Sequence, residues 1–167
     1  MKPTQNIQMK RIINVNKTAG ATDIALLLAR VGISVLMLTH GIPKMILLFS
    51  GAPIQFPTVL GMNPELSLGL AVFAEVFGSI LLLAGFVTRL AVVPLITTML
   101  VAVLIIHGGD PFVKQEPALQ YLLVYTVLLF TGSGKYSIDY LLQNNRTGIT
   151  RNLKPIVQTD SRHISVS

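Results

Sequence analysis

The sequence of 167 residues predicts an all-α integral membrane protein, a four-helix bundle with both termini in the cytoplasm. Three observations predict it. Hydrophobic residues make up 51% and charged residues only 12% of the chain, whereas a soluble domain carries about 25% charged residues. The deficit of charge is concentrated between residues 22 and 131, and the mean hydropathy is +0.66. Within that stretch, four apolar runs are separated by segments rich in Pro and Gly, the pattern of consecutive spans.

The first span is expected from Ile24 to Phe49, long enough to cross with tilt, since about 20 residues suffice. Pro43 lies inside it and lacks an N–H, which predicts a kink or an early helix end near Lys44. The segment from Gly51 to Gly61, with Pro53 and Pro57, reads as an external loop. The second span opens with Asn63 as N-cap, Pro64 at the first helical position and Glu65 in the first turn, and it runs to Phe86 with a break at Gly85. The third is expected from Leu90 to Ile106, with Pro94 in its first turns, and ends at His107-Gly108-Gly109-Asp110-Pro111. The fourth begins at Pro117 and ends at Phe130 or Thr131. At about 14 residues, or ~21 Å, it is short for a span and needs extension from its flanks.

Orientation follows from the basic residues. Lys2, Lys10, Arg11 and Lys17 precede the first span, Arg89 sits between the second and third, and Lys135, Arg146, Arg151, Lys154 and Arg162 follow the fourth. The opposite connections hold only Lys44 and Lys114, so both termini are expected on the cytoplasmic side. The net charge of +6 is thereby read as topological, and no nucleic-acid partner is expected. Residues 1–21 read as a basic cytoplasmic segment rather than a cleaved leader, residues 22–142 as the membrane domain, and residues 143–167 as a polar, disordered cytoplasmic tail. Cysteine is absent, which removes thiol chemistry, disulfides and Cys-ligated metals; tryptophan is absent too, leaving an aromatic belt to the tyrosines.

Six ionisable residues sit in or beside the apolar runs: Arg30, His40, Lys44, Glu75, His107 and Glu116. A charge at bilayer depth costs several kcal/mol unless paired or hydrated, so each needs a partner or a purpose. At ~1.5 Å per residue, Arg30 is about 10 Å inside the cytoplasmic boundary and Glu75 about 16 Å, which suggests a buried Arg30–Glu75 ion pair. His40, Lys44, His107 and Glu116 lie toward the external face, and together they predict a ligand-binding pocket suited to proton-linked chemistry or a polar head group. Each also has a plainer reading. Lys44 can snorkel, His107 can cap its helix, His40 can be a satisfied core histidine, Glu116 can favour the positive end of its helix dipole, and Arg30–Glu75 can fix helix register. No metal site is expected, because nothing in the spacing of the two histidines and the carboxylate demands one.

The order of these residues resembles the DoxX family of small four-helix membrane proteins. The resemblance rests on Arg30, His40-Gly41-Ile42-Pro43-Lys44, Glu75-Val76-Phe77-Gly78, Gly85-Phe86-Val87-Thr88-Arg89, His107, Glu116, and the closing Gly132-Ser133-Gly134-Lys135-Tyr136-Ser137-Ile138-Asp139. It covers residues 22–142 and implies a bacterial inner-membrane protein. The family is named after a presumed component of a terminal quinol oxidase, and relatives are linked to thiosulfate:quinone oxidoreduction and to quinone or catechol stress. Most members have no established activity.

The expected function is therefore a redox-associated accessory subunit that binds a quinone-like or other small molecule in the external polar pocket, with no catalytic residue assigned. The sequence shows no flavin, haem or nucleotide motif, so no cofactor is expected in the chain itself and a redox partner subunit would supply it. The alternative is a small-molecule transporter or a non-enzymatic assembly factor, which in so small a bundle implies a homo-oligomer.

Overall fold

A computed structural model describes residues 19–144, and every regular element in that range is helical. The basic N-terminal residues 1–18 and the tail residues 145–167 lie outside the described residues, as do the expectations placed on them. Helix α1 is Ala19–Phe49, α2 is Pro64–Ala84, α3 is Thr88–Ile106 and α4 is Phe112–Thr131. A short fifth helix, α5, spans residues 138–144.

Helices α1, α2 and α3 are each long and apolar enough to cross a membrane. Helix α4 begins five residues earlier than the sequence suggests, at Phe112, which lengthens it to 20 residues. Lys114, Gln115 and Glu116 fill its first turns, so its apolarity falls short of the other three. It gains its place by packing along α3.

Pro43 does not end α1, which continues to Phe49. An ended helix at this depth would leave several carbonyls without donors in hydrocarbon, whereas a proline within the helix removes one hydrogen bond. Helix α2 starts as its sequence dictates: Asn63 Oδ1 accepts from Leu66 N at 2.8 Å, with Pro64 at the first position and Glu65 in the first turn. Its middle, Phe73–Phe77, is a π-helical turn, a wider winding that recurs at functional sites, and Glu75 lies in it. Gly85 ends α2 in the left-handed region (φ 67°), where Phe86 N donates back to Leu81 O at 3.0 Å.

The core holds Met37, Leu82, Val92, Leu95, Met99, Ala118, Tyr125 and Leu128, one or more from each long helix. Helix α1 turns a narrow stripe inward: Arg30, Ser34, Met37 and Gly41 are buried and Lys44 is half-buried, at successive spacings of four, three, four and three residues. Two close approaches fix the antiparallel register of α1 and α2. A Cβ on Gly41 would lie 3.1 Å from Glu75 Cβ, and a Cβ on Gly85 would lie 2.5 Å from Arg30 Nη1. Gly41 is thus level with Glu75, and Arg30 with the end of α2.

Candidate functional site

That register corrects one sequence expectation outright: Arg30 and Glu75 do not pair. With residue 41 level with Glu75, Arg30 is eleven residues away along α1, about 16 Å at ~1.5 Å per residue. The expectation took the starts of α1 and the end of α2 to lie in one plane. Instead, the first turns of α1 project beyond Gly85.

Arg30 serves that projecting region. Its Nη1 donates to Ser133 O and its Nη2 to Tyr136 O, each at 2.6 Å, while its exposure is 2%. The planar guanidinium thereby clamps the segment that follows α4 against α1 and α2. The same segment is held from the other side. Asp139 Oδ1 accepts from Val87 N at 2.7 Å and Oδ2 from Thr88 N at 3.1 Å, capping α3 from a distant part of the chain. Those bonds hold Val87 at φ 48°, a conformation a β-branched residue rarely adopts. Ser137 Oγ accepts from Tyr140 N at 3.2 Å, so Ser137 caps α5 while Asp139 caps α3. The motif at residues 132–139 is a latch.

Glu75 is the other buried charge, 1% exposed. Its Oε1 accepts from Lys44 Nζ at 2.5 Å, and its Oε2 has no hydrogen-bond partner within the protein. The Lys44 side chain is 32% exposed, so the pair joins the bundle interior to its surface. The ring of Phe56, from the loop between α1 and α2, lies with its centroid 6.0 Å from Lys44 Nζ. That loop is tied to α2 where Val59 N donates to Ser67 Oγ at 3.2 Å. On the opposite wall, α4 brings Tyr121 and Tyr125 within electrostatic reach of Glu75. Tyr125 is fully buried with an unpartnered hydroxyl, and Ser79 Oγ, one turn from Glu75, is buried and unpartnered as well.

The four residues expected to share a pocket each find a different partner. Lys44 turns to Glu75. His40 packs edge-on against Tyr121, ring centroids 5.8 Å apart. His107 Nδ1 lies 2.9 Å from Asp110 Oδ2, which also meets Lys114 through its Oδ1 at 3.4 Å. That hydrogen bond from His107, followed by the Lys114 charge, holds the Asp110 carboxyl below its ordinary range. Glu116 is exposed and accepts from Gln120 Nε2 at 3.1 Å. No hydrogen bond, ion pair or ring contact joins any two of the four. Among the described residues, no group of three His, Asp or Glu side chains has the spacing to hold a metal ion.

Sequence reasoning missed the Lys44–Glu75 contact, the role of Tyr121 and Tyr125, and Asp139. Lys44 carried a signal, since it continues the stripe begun by Arg30. The tyrosines read as span residues and nothing in their spacing marks them.

The DoxX family model matches residues 25–108, a stretch that includes Arg30, Lys44, Glu75 and His107. No curated protein and no solved structure matches the chain.

Proposed function

The chain belongs to the DoxX family and is a multi-pass membrane protein, and on that premise we propose that it is a redox-associated accessory subunit of the bacterial inner membrane, with both termini cytoplasmic, that binds a quinone-like molecule at Lys44 and Glu75. The observation that carries this reading is the half-open ion pair. A buried carboxylate with one oxygen satisfied by Lys44 and the other unpartnered is costly unless something else engages it. A small molecule bearing a carbonyl and a hydroxyl group would meet both needs.

In this reading a carbonyl oxygen of the ligand accepts from the Lys44 ammonium or from His40, and a hydroxyl donates to Glu75 Oε2. Reduction of a quinone takes two electrons and two protons. The electrons come from a partner subunit's redox cofactor, Lys44 stabilises the negative charge that develops on the oxygen, and Glu75 relays protons. Tyr121 and the ring of Phe56 give the ligand ring flat apolar walls. His107 and Glu116 are held by their own partners, Asp110 and Gln120, and have no part in this site.

The test is anaerobic titration of the purified protein with a short-chain benzoquinol, one hydroxyl of which can donate to Glu75 Oε2 while the other oxygen accepts from Lys44, read by quenching of tyrosine fluorescence. Lys44→Met and Glu75→Gln are each expected to weaken binding about tenfold, the effect of losing one charge-assisted hydrogen bond. His107→Gln is expected to change it less than about threefold. Equal affinity in all three variants and the parent overturns the reading.

A further inference from the structure

A second, open cavity lies at the latch, at the opposite end of the bundle. It measures about 530 Å³ and lies between α1, the start of α3 and the segment after α4, lined among others by Asp23, Thr88, Arg89, Ser133, Lys135 and Asp139. We propose that this cavity binds a phosphate-bearing anion, with the headgroup of an anionic phospholipid as its principal source.

Two carboxylates, Asp23 and Asp139, and two cations, Arg89 and Lys135, line it, and the buried Arg30 behind the lining, which faces Asp139, leaves one cation over among the described residues. Asp23 is matched by Lys135, whose Nζ lies 3.3 Å from Asp23 Oδ2 and whose backbone N donates to Asp23 Oδ1 at 3.2 Å. Asp139 is matched by the Val87 and Thr88 N–H groups and by Arg30, whose charge it faces. Arg89 has no carboxylate partner among the described residues. Its bond among the described residues runs from Nη2 to Phe130 O at 3.3 Å, which leaves most of a five-donor guanidinium unused.

Residues bearing unpartnered uncharged donors line the same cavity. Thr88 is 1% exposed, and its Oγ1 is buried without a hydrogen-bond partner. A buried hydroxyl in that condition calls for a ligand or a water. The Ser133 and Gly134 N–H groups, between the left-handed residues Gly132 and Gly134, have no acceptor among the described residues. A planar guanidinium, a hydroxyl and two adjacent main-chain N–H groups form a donor set suited to the oxygens of a phosphate.

Position favours the lipid. Arg89 and the 132–144 segment lie at the end of the bundle, where the spans emerge, and basic pockets between helices at that depth hold headgroups. Leu90, Phe130 and Leu141, the chain neighbours of lining residues, are 67%, 75% and 62% exposed and would accompany the acyl chains. The site does not involve Lys44 or Glu75 and does not depend on what binds there.

The full chain in mild detergent, titrated with short-chain phosphatidylglycerol, phosphatidylcholine and inorganic phosphate under native mass spectrometry, tests the assignment. Phosphatidylglycerol is expected to bind more tightly than phosphatidylcholine, by about tenfold. Arg89→Gln is expected to remove most of that preference and Arg89→Lys to restore part of it, because an ammonium keeps the charge without the fork. Thr88→Val weakens binding about threefold, and Lys114→Gln, at the far end, leaves it unchanged. Circular dichroism shows whether each variant remains folded. Phosphate binding that Arg89→Gln abolishes, with no preference between the lipids, assigns the site to a soluble phosphate and overturns the lipid source. Equal binding of all three probes to the parent and to Arg89→Gln overturns the site itself.

Discussion

Arg30 and Glu75 are equally buried, each on an inward stripe of a membrane helix, yet their surroundings differ in kind. Arg30 spends both terminal nitrogens on main-chain carbonyls of a segment more than one hundred residues away in sequence, although its Nε is buried without a partner. Glu75 spends one oxygen on a half-exposed, flexible lysine and keeps the other unpartnered, inside a π-helical turn. The contrast teaches that burial of a charge in a membrane domain does not by itself mark a functional site. A charge whose partners are backbone groups holds the fold, and a charge whose partner can move, with a valence left over, can exchange that partner for a ligand.

The widest separation between the two regions is expected in stability. Arg30→Met strands the carbonyls of Ser133 and Tyr136 and leaves Asp139 without its cation, and should cost about 3 kcal/mol. Thermal unfolding in detergent reads this directly. A loss below about 1 kcal/mol would mean the latch is held without Arg30.

Gly85→Ala strikes the same region without altering a charge. The added Cβ would meet Arg30 Nη1 and Ser137 at a residue with φ 67°, and a cost of about 2 kcal/mol is expected in the same assay. If Gly85→Ala and Arg30→Met act through one latch, their effects fall short of additive in the double variant.

Glu75→Gln sharpens the comparison from the other side. The amide still accepts a hydrogen bond from Lys44, so stability should fall by only about 1 kcal/mol while quinol binding weakens. A loss matching that of Arg30→Met would place Glu75 among the structural charges.

The smallest effect belongs to the turn between α3 and α4. The hydrogen bond from His107 lowers the Asp110 pKa in the folded protein, so its contribution to stability is present above the unfolded pKa and is lost as pH falls through the folded one. The protection of the amides of residues 107–110, corrected for the intrinsic pH dependence of exchange, should therefore fall below about pH 4 and stay level above it. Asp110→Asn should abolish that dependence.

Local features were readable directly. Asn63-Pro64-Glu65 declares the start of α2, because the cap, the fixed φ and the dipole partner all lie within one turn. Gly85 ends that helix for an equally local reason. Gly132 and Gly134 end α4 for a local reason too, but Asp139 reaches α3, a contact about fifty residues distant that no local rule contains. Lys44 and Glu75 were visible as anomalies, while their pairing was not.

The sequence by itself determined that this chain is a bundle of membrane helices and where most of them begin and end, since hydrocarbon demands about 20 apolar residues whose backbone groups are satisfied within the segment. Only the tertiary structure decided which buried charge meets which. Sliding α1 against α2 by two turns leaves every local preference intact and changes every partner, and what fixes that slide is the close contact at Gly41 and at Gly85. Side-chain packing between helices sets register, and register turned Arg30 into a clamp and Glu75 into a candidate ligand site.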